Sequence, residues 1–245
     1  MKVIISLTSI PSRFDKLETV LAPLLSQACH EIWLNIPPSY KRFPDWDGKV
    51  PERLFTLDPK VKINLDCEDI GPGTKFIGPA KHLDPEDLIV YLDDDTDYDA
   101  KLVTNLLKCH RADPKSAWGL SGFNFETYFK GVFPRQHGVP LDVLEGYGSV
   151  IVKAGWIQQI TPEFKELLEV THHDDMILSN LFEKYGIDRK TVYVPECHLG
   201  HIQQREYGFG PDALHNAWGG HVQNNQKILK GFEDKGKNYF KYKCS

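Results

Sequence analysis

The chain has 245 residues, 41% of them hydrophobic and 26% charged, which is enough apolar material for the core of one α/β domain. A net charge of −5 and a pI of about 6.1 exclude a globally basic surface for nucleic acid. The five cysteines show no C-x-x-C spacing, which argues against structural zinc and against a disulfide framework. We therefore expect a cytoplasmic protein. No apolar stretch reaches transmembrane length, so we expect any membrane contact to be peripheral.

Apolar periodicity predicts alternating strands and helices, the pattern of a mainly parallel sheet flanked by helices. The predicted strands are residues 2–7, 31–36, 61–65, 88–92, 118–123, 150–152 and 191–195. The predicted helices are residues 17–25, residues 101–107, a helix that starts at Thr161-Pro162, residues 176–185 and part of 224–245. Pro23 must kink or shift the first of these helices, and Gly186 ends the helix at 176–185.

The most informative stretch is the apolar run at 88–92, which leads directly into Asp93, Asp94 and Asp95. Ligands of parallel α/β sheets bind beyond the carboxyl ends of the strands, which is where these acids would lie. Strand alternation predicts that Asp93 and Asp95 point the same way and Asp94 the other. Carboxylate oxygens are hard ligands that suit Mg²⁺ or Mn²⁺, so we predict a metal–diphosphate site.

The acid run has three other possible interpretations. A calcium loop of the EF-hand type starting at Asp93 needs Gly and Glu where the chain has Tyr98 and Thr104. A phosphatase-type D-x-D-x-T motif needs Thr where Asp97 stands. A solvated acidic turn before the helix at 101 remains open at this point.

Four further features stand in predicted loops or at a helix start. Arg13 follows the first strand, where it could meet a phosphate or remain a surface residue. Asp69 and Lys75 flank a Gly-Pro-Gly stretch that either approaches a ligand closely or only forms a turn. Gly146-Tyr147-Gly148 precedes a strand. Asp174 and Asp175 open a helix, where capping alone would also favour them.

In their order along residues 1–205, these motifs resemble the GT-A superfamily of nucleotide-sugar glycosyltransferases, in particular small bacterial and large-virus members. The motifs are Gly71-Pro72-Gly73-Thr74-Lys75, Asp93-Asp94-Asp95, Gly146-Tyr147-Gly148 and Asp174-Asp175. The resemblance implies a single GT-A (Rossmann-like) domain at 1–205, with a nucleotide-binding half at about 1–100 and an acceptor half at about 101–205. Residues 206–245 would form a C-terminal extension that packs on the same domain.

The resemblance also implies a role for each matching residue. The nucleotide-sugar pocket would be lined by Thr8, Arg13, Asp69, Lys75, Asp93, Asp94, Gly146, Tyr147 and Gly148. Asp95 and Asp93 would hold Mn²⁺ or Mg²⁺, with His201 and then His198 as candidates to complete the ligand shell. Asp175, with Asp174 as partner or substitute, would be the catalytic base.

We therefore expect a metal-dependent glycosyltransferase of the hexosyl-transferring class, moving a sugar from a nucleotide-sugar, in the first place a UDP-sugar, to a glycan or other hydroxyl acceptor. A carboxylate base opposite a departing diphosphate would give inversion of configuration. One alternative is a sugar nucleotidyltransferase, although residues 6–13 lack the glycines of the usual signature loop. The other is a non-catalytic metal- or carbohydrate-binding module.

Overall fold

The computed structural model describes residues 1–128, 136–193, 203–210 and 221–242. The strands are β1 (Val3–Thr8), β2 (Glu31–Asn35), β3 (Val61–Asn64), β4 (Leu88–Tyr91), β5 (Thr96–Asp97), β6 (Ser116–Gly119), β7 (Gly122–Phe123), β8 (Val143–Leu144), β9 (Val150–Lys153), β10 (Asp188–Thr191) and β11 (Gln203–Gln204). The α-helices are α1 (Leu17–Leu24), α2 (Glu52–Phe55), α3 (Thr74–Ala80), α4 (Leu102–Ala112), α5 (Phe125–Tyr128), α6 (Ala154–Leu167), α7 (Asp174–Lys184) and α8 (His221–Asp234).

Seven strands form the central sheet in the order β10-β6-β9-β4-β1-β2-β3. Neighbouring strands are parallel except at β9, which runs antiparallel to both β4 and β6. The predicted mainly parallel α/β sheet with flanking helices is therefore confirmed, and the fold is Rossmann-like. Because β9 is reversed, the turn that precedes it lies at the same edge as the carboxyl ends of β1 and β4.

Alternating side chains of the central strands feed two hydrophobic layers, one on each face of the sheet. Ile4 and Ile89 belong to the layer that includes side chains of α3, α6, α7 and α8. Ile5 and Val90 belong to the layer that includes side chains of α1 and α4. β4 is buried on both faces, which explains its uninterrupted apolar sequence. The described part of the chain contains no helix long and apolar enough to cross a bilayer.

Several predicted element boundaries are wrong. The helix expected to start at Thr161-Pro162 starts at Ala154, so Pro162 lies inside α6. Thr161 donates its hydroxyl to the Ile157 carbonyl, 2.6 Å away, within the same helix. Of the strand expected at 191–195, Thr191 instead ends β10, because the segment ahead of it pairs with β6, and residues 194 and 195 lie outside the described residues. The strand expected at 118–123 is divided into β6 and β7, and β7 pairs with β8 outside the main sheet.

The predicted alternation of the three acids is also wrong. β4 ends at Tyr91, so the pleat no longer controls side-chain direction at Asp93, Asp94 and Asp95. Asp93 is paired with Lys75, whereas Asp94 and Asp95 both contact Arg13.

Candidate functional site

Five carboxylates and two cations converge at the edge of the sheet beyond β1 and β4. Asp93, Asp94 and Asp95 follow β4, while Asp174 and Asp175 form the first turn of α7. Lys75 lies in the first turn of α3 and Arg13 in a 3-10 turn (Pro11–Lys16) after β1. We refer to these seven residues as the acid cluster.

Lys75 joins the two groups of acids. Its Nζ lies 2.7 Å from Asp93 Oδ1 and 3.0 Å from Asp174 Oδ2, and its side chain is only 3% exposed. Burial lowers the pKa of Lys75, but the charges of Asp174 and Asp93 outweigh it and raise that pKa above its usual value. Asp174 Oδ2 is at ion-pair distance from Lys75, yet it makes no hydrogen bond within the described part of the chain.

Asp175 lies beside the Gly146-Tyr147-Gly148 turn. The Gly146 amide donates to Asp175 Oδ1 over 2.9 Å. A side chain at residue 146 would meet Lys75 Nζ at 2.6 Å, so the glycine allows this close approach. Burial raises the pKa of Asp175 well above its usual range, and the neighbouring Asp174 raises it further. The ligand atoms of His173, Asp174 and Asp175 lie within 4.8 Å of one another, close enough to share one ion.

Arg13 is held by the other two acids. Its Nη1 donates to Asp94 Oδ1 over 2.6 Å and lies 3.1 Å from Asp95 Oδ2. Ser9 donates its hydroxyl to Asp94 Oδ2. Burial raises the pKa of Asp95 to about 6, and the charges of Asp93 and Asp94 add to this more than Arg13 offsets. Asp95 is therefore a carboxylate with too little positive charge around it.

Two other predicted nucleotide-sugar residues, Thr8 and Asp69, contact neighbouring backbone groups. Thr8 donates to the Asn35 carbonyl over 2.8 Å. Asp69 accepts the amides of Lys41 and Gly71, at 2.7 and 3.1 Å, and so fixes the Gly-Pro-Gly turn. Gly71 has a φ of +61°, and a side chain at residue 73 would meet the Phe164 ring at 2.9 Å. Tight turning and packing therefore account for these two glycines.

The Gly146-Tyr147-Gly148 turn contacts polar residues that the sequence did not single out. The Tyr147 carbonyl accepts the Tyr98 hydroxyl at 2.9 Å, and the Asp93 amide donates to that same Tyr98 oxygen. Ser121 lies 2.6 Å from Glu145 Oε2, and the pKa of Glu145 is raised by burial. A side chain at residue 148 would overlap Ser121, which explains the second glycine.

The Tyr91 and Ser149 hydroxyls are buried at the same edge and have no hydrogen-bond partner among the described residues. Ser149 also has a φ of +71°, an unusual backbone conformation for serine. His198 and His201, the predicted additional metal ligands, lie outside the described residues. Neither Tyr91 nor Ser149 carries a local motif, but both stand next to the motifs that the sequence did reveal.

Neither a protein-family model nor a curated protein sequence matches the chain. Solved structures with a distant likeness to the chain include two enzymes. The 2-C-methyl-D-erythritol 4-phosphate cytidylyltransferase of Francisella tularensis is 11% identical, with a TM-score of 0.47 over 80% of this chain and 91% of that one. The CMP:2-keto-3-deoxy-manno-octonic acid synthetase, in complex with CTP, is 14% identical, with a TM-score of 0.48 over 79% and 90%.

These neighbours correct the main functional prediction. The UDP-sugar glycosyltransferase of the hexosyl-transferring class is contradicted, because both neighbours are nucleotidyltransferases, the class named above as an alternative. With identities of 11% and 14% and TM-scores below 0.5, the likeness carries no activity over to this chain. A function for the acid cluster must therefore be argued from its own side chains.

Proposed function

We propose that the chain is a divalent-metal-dependent nucleotidyltransferase, which transfers a nucleotidyl group from a nucleoside triphosphate to an oxygen of a sugar-derived acceptor. The observation that supports this most directly is the charge imbalance of the acid cluster. Among the residues that the structure describes, five carboxylates meet two cations there, Lys75 and Arg13, and both cations are already paired with acids. A triphosphate would be repelled by this arrangement unless a divalent cation bound with it.

The residues present fit such a cation. Mg²⁺ and Mn²⁺ prefer carboxylate oxygens. The pKa of Asp95 is raised by burial and by the like charges of Asp93 and Asp94, and a cation would relieve the repulsion between these charges. Asp95 and Asp93 would hold the metal. Asp174 Oδ2 offers a further buried oxygen, which lies at ion-pair distance from Lys75 and makes no hydrogen bond among the described residues. A bound divalent ion supplies charge stabilisation to the phosphate oxygens. The third-ligand role predicted for His198 or His201 remains a prediction.

The chain's own groups have separable roles in this proposal. Arg13, whose side chain is more exposed than that of Lys75, would move its guanidinium from Asp95 to a phosphate oxygen. Lys75 would stay between Asp93 and Asp174 and keep the two acid groups together. Asp175, whose pKa is raised by burial, would accept the acceptor's proton. The acceptor oxygen attacks the α-phosphorus, the bond to the β-phosphate oxygen breaks, and pyrophosphate leaves with the electron pair.

The loop 6–13 lacks the glycines of a nucleotidyltransferase signature loop, and its contacts suggest a substitute for them. Ser9 and Arg13 of this loop both contact Asp94, so side chains rather than glycine amides face the site. A guanidinium can pair with two oxygens of a phosphate, which a compact ammonium cannot do in the same geometry. We therefore assign triphosphate recognition to Arg13 instead of to backbone amides.

The test is thermal unfolding with CTP, UTP, GTP, ATP and dTTP, with UDP and UDP-sugars as comparison ligands, each with and without Mn²⁺. A ligand at 100 times its Kd adds about 2.7 kcal/mol, which shifts the melting temperature measurably. The proposal expects a shift with a triphosphate that requires Mn²⁺, and pyrophosphate release when sugar phosphates are added. A shift with UDP-sugars but with no triphosphate refutes it. A shift with metal alone and no nucleotide indicates a non-catalytic module.

Asp95→Asn provides the matching variant, with exposed Asp45→Asn as its control. Both changes remove one carboxylate charge, but only Asp95 belongs to the acid cluster. We expect Asp95→Asn to lose the Mn²⁺-dependent shift and Asp45→Asn to keep it. Equal shifts in both variants would remove Asp95 from the metal site.

A further inference from the structure

The main chain of Asp94 and Asp95 is held by residues more than a hundred positions downstream. The Arg205 amide donates to the Asp95 carbonyl over 2.7 Å, and the Tyr207 hydroxyl donates to the Asp94 carbonyl over 2.8 Å. β11 pairs antiparallel with β5, in the register Gln204 to Thr96. We call residues 203–210 the clasp.

The clasp is anchored on its other side to α1. The Arg205 guanidinium donates to Thr19 Oγ1 over 2.6 Å and to the Thr19 carbonyl over 3.0 Å, and it also pairs with Asp97. Lys16 Nζ lies 4.4 Å from the centre of the Tyr207 ring, in the range of a cation–π contact. The clasp therefore connects residues 93–95, which we call the acid loop, to the helix that follows Arg13.

The clasp also reaches the Asp95 carboxylate itself. A side chain at residue 208 would lie 2.8 Å from Asp95 Oδ2, so Gly208 allows the clasp backbone to pack directly against this acid. β4 ends four residues before Asp95, and the central sheet no longer supports the chain there. The clasp supplies that support through main-chain and side-chain hydrogen bonds.

We infer that Tyr207 and Arg205 are positioning residues for the cation site, because they fix the backbone of Asp94 and Asp95 and thereby the direction of the Asp95 carboxylate. This inference depends on the proposed function in one respect, the use of Asp95 as a metal ligand. A carboxylate that is already oriented loses less entropy when it binds an ion, so the clasp raises metal affinity. By linkage, bound metal should in turn stabilise the clasp.

Tyr207→Phe is the sharpest test, because it removes only the hydroxyl and keeps the ring over Lys16. Loss of one hydrogen bond that orients a ligand should weaken Mn²⁺ binding about 3- to 10-fold by calorimetric titration. Tyr207→Leu removes the ring as well and should weaken binding further. Tyr239→Phe is the matched control, since its hydroxyl donates to Glu163 over 2.7 Å, away from the acid cluster.

Hydrogen exchange at the Arg205 amide gives a second readout that does not depend on metal. We expect faster exchange in Tyr207→Phe than in wild type or Tyr239→Phe, and slower exchange when Mn²⁺ is added to wild type. Wild-type Mn²⁺ affinity in Tyr207→Phe, even with a lower melting temperature, overturns the inference and leaves only a structural role. If the wild-type protein binds no Mn²⁺, the metal-dependent function is refuted. In that case, positioning of the acid loop by the clasp is also refuted if hydrogen exchange at the Arg205 amide is the same in Tyr207→Phe as in wild type.

Discussion

Lys75 and Arg13 neutralise carboxylates at the same edge of the sheet, but in different environments. The Lys75 side chain is 3% exposed and lies on a buried helix between Asp93 and Asp174. The Arg13 side chain is 12% exposed, lies in a 3-10 turn, and contacts two adjacent acids of one loop. Lys75 therefore joins acids of two separate segments, whereas Arg13 joins its own turn to the single loop that carries Asp94 and Asp95.

The difference indicates which side of the acid cluster can exchange partners. A buried ammonium between acids from separate elements cannot leave without exposing uncompensated charge in a region of low dielectric. Asp95, beside Arg13, has its pKa raised to about 6, so its negative charge is incompletely compensated even with Arg13 in place. We therefore expect Lys75 to matter mainly for stability and the Arg13 side to matter mainly for ligand binding.

The largest effect is expected from Lys75→Met. Removing one partner of a buried ion pair typically costs about 3–5 kcal/mol, because the remaining charges stay buried without compensation. Urea unfolding of Lys75→Met should show a loss in this range. Lys165→Met is the control, because Lys165 pairs with Glu68 at the surface, and such pairs contribute at most about 1 kcal/mol. Similar small losses in both variants would contradict the structural role of Lys75.

Arg13→Met should cost less, about 2 kcal/mol, because Asp94 keeps the Ser9 hydroxyl and Arg13 is nearer to solvent. Arg13→Met should affect nucleotide binding more than stability, and most of the Mn²⁺-dependent rise in melting temperature with a nucleoside triphosphate should be lost. Arg53→Met, which breaks an exposed pair with Asp15, is the matched control. If Arg13→Met destabilises the protein more than Lys75→Met does, Arg13 rather than Lys75 is the cation that mainly stabilises the fold.

The pH dependence of Asp95 gives a third test. Because the folded pKa of Asp95, about 6, lies above its unfolded value, the neutral carboxyl stabilises the fold below about pH 4, and this contribution is lost as pH rises through 6. Without metal at pH 7.5, Asp95→Asn should therefore be more stable than wild type by about 1–2 kcal/mol. The advantage should vanish near pH 4, as measured by urea unfolding across pH.

Added Mn²⁺ should reverse that order at pH 7.5, because only the wild-type carboxylate gains from the cation. A wild-type protein that is more stable than Asp95→Asn without metal would show that Arg13 compensates Asp95 fully. Arg13 would then be no more able than Lys75 to exchange its carboxylate partners for a ligand.

The sequence predicted the sheet and the location of the acid cluster because both depend on local patterns. A continuous apolar run predicted β4, and its abrupt end in acids placed Asp93 to Asp95 at the carboxyl edge. The detailed pairing could not be predicted, because it depends on where the strand stops: a strand ending at Tyr91 sends Asp94 toward Arg13 together with Asp95. Nothing local marks Tyr207, since its partner is the Asp94 carbonyl, more than a hundred residues away.

The prediction at Thr161-Pro162 failed for a related reason. Pro after Thr is typical of a helix start, but the residues before it, including Ile157 and Ile160, pack into the core as one face of a longer helix. Tertiary packing outweighed the local signal, and the helix contains Pro162 in its interior. For Gly73 the sequence left a ligand contact and a simple turn both open, and only the fold shows that this glycine packs against Phe164.

The smallest expected effects come from two glycines, one packed against Lys75 and the other against Asp95, the acid beside Arg13. A methyl group at residue 146 would lie 2.6 Å from Lys75 Nζ, and one at residue 208 would lie 2.8 Å from Asp95 Oδ2. Lys75 is fixed between two acids, so Gly146→Ala should cost about 1 kcal/mol of stability by overpacking. The clasp packs from outside the central sheet, so Gly208→Ala should cost less stability but weaken Mn²⁺ binding, because the methyl group displaces the Asp95 carboxylate. Urea unfolding and Mn²⁺ titration of both variants separate the two effects, and a Gly208→Ala variant with wild-type Mn²⁺ affinity would show that the clasp does not control Asp95.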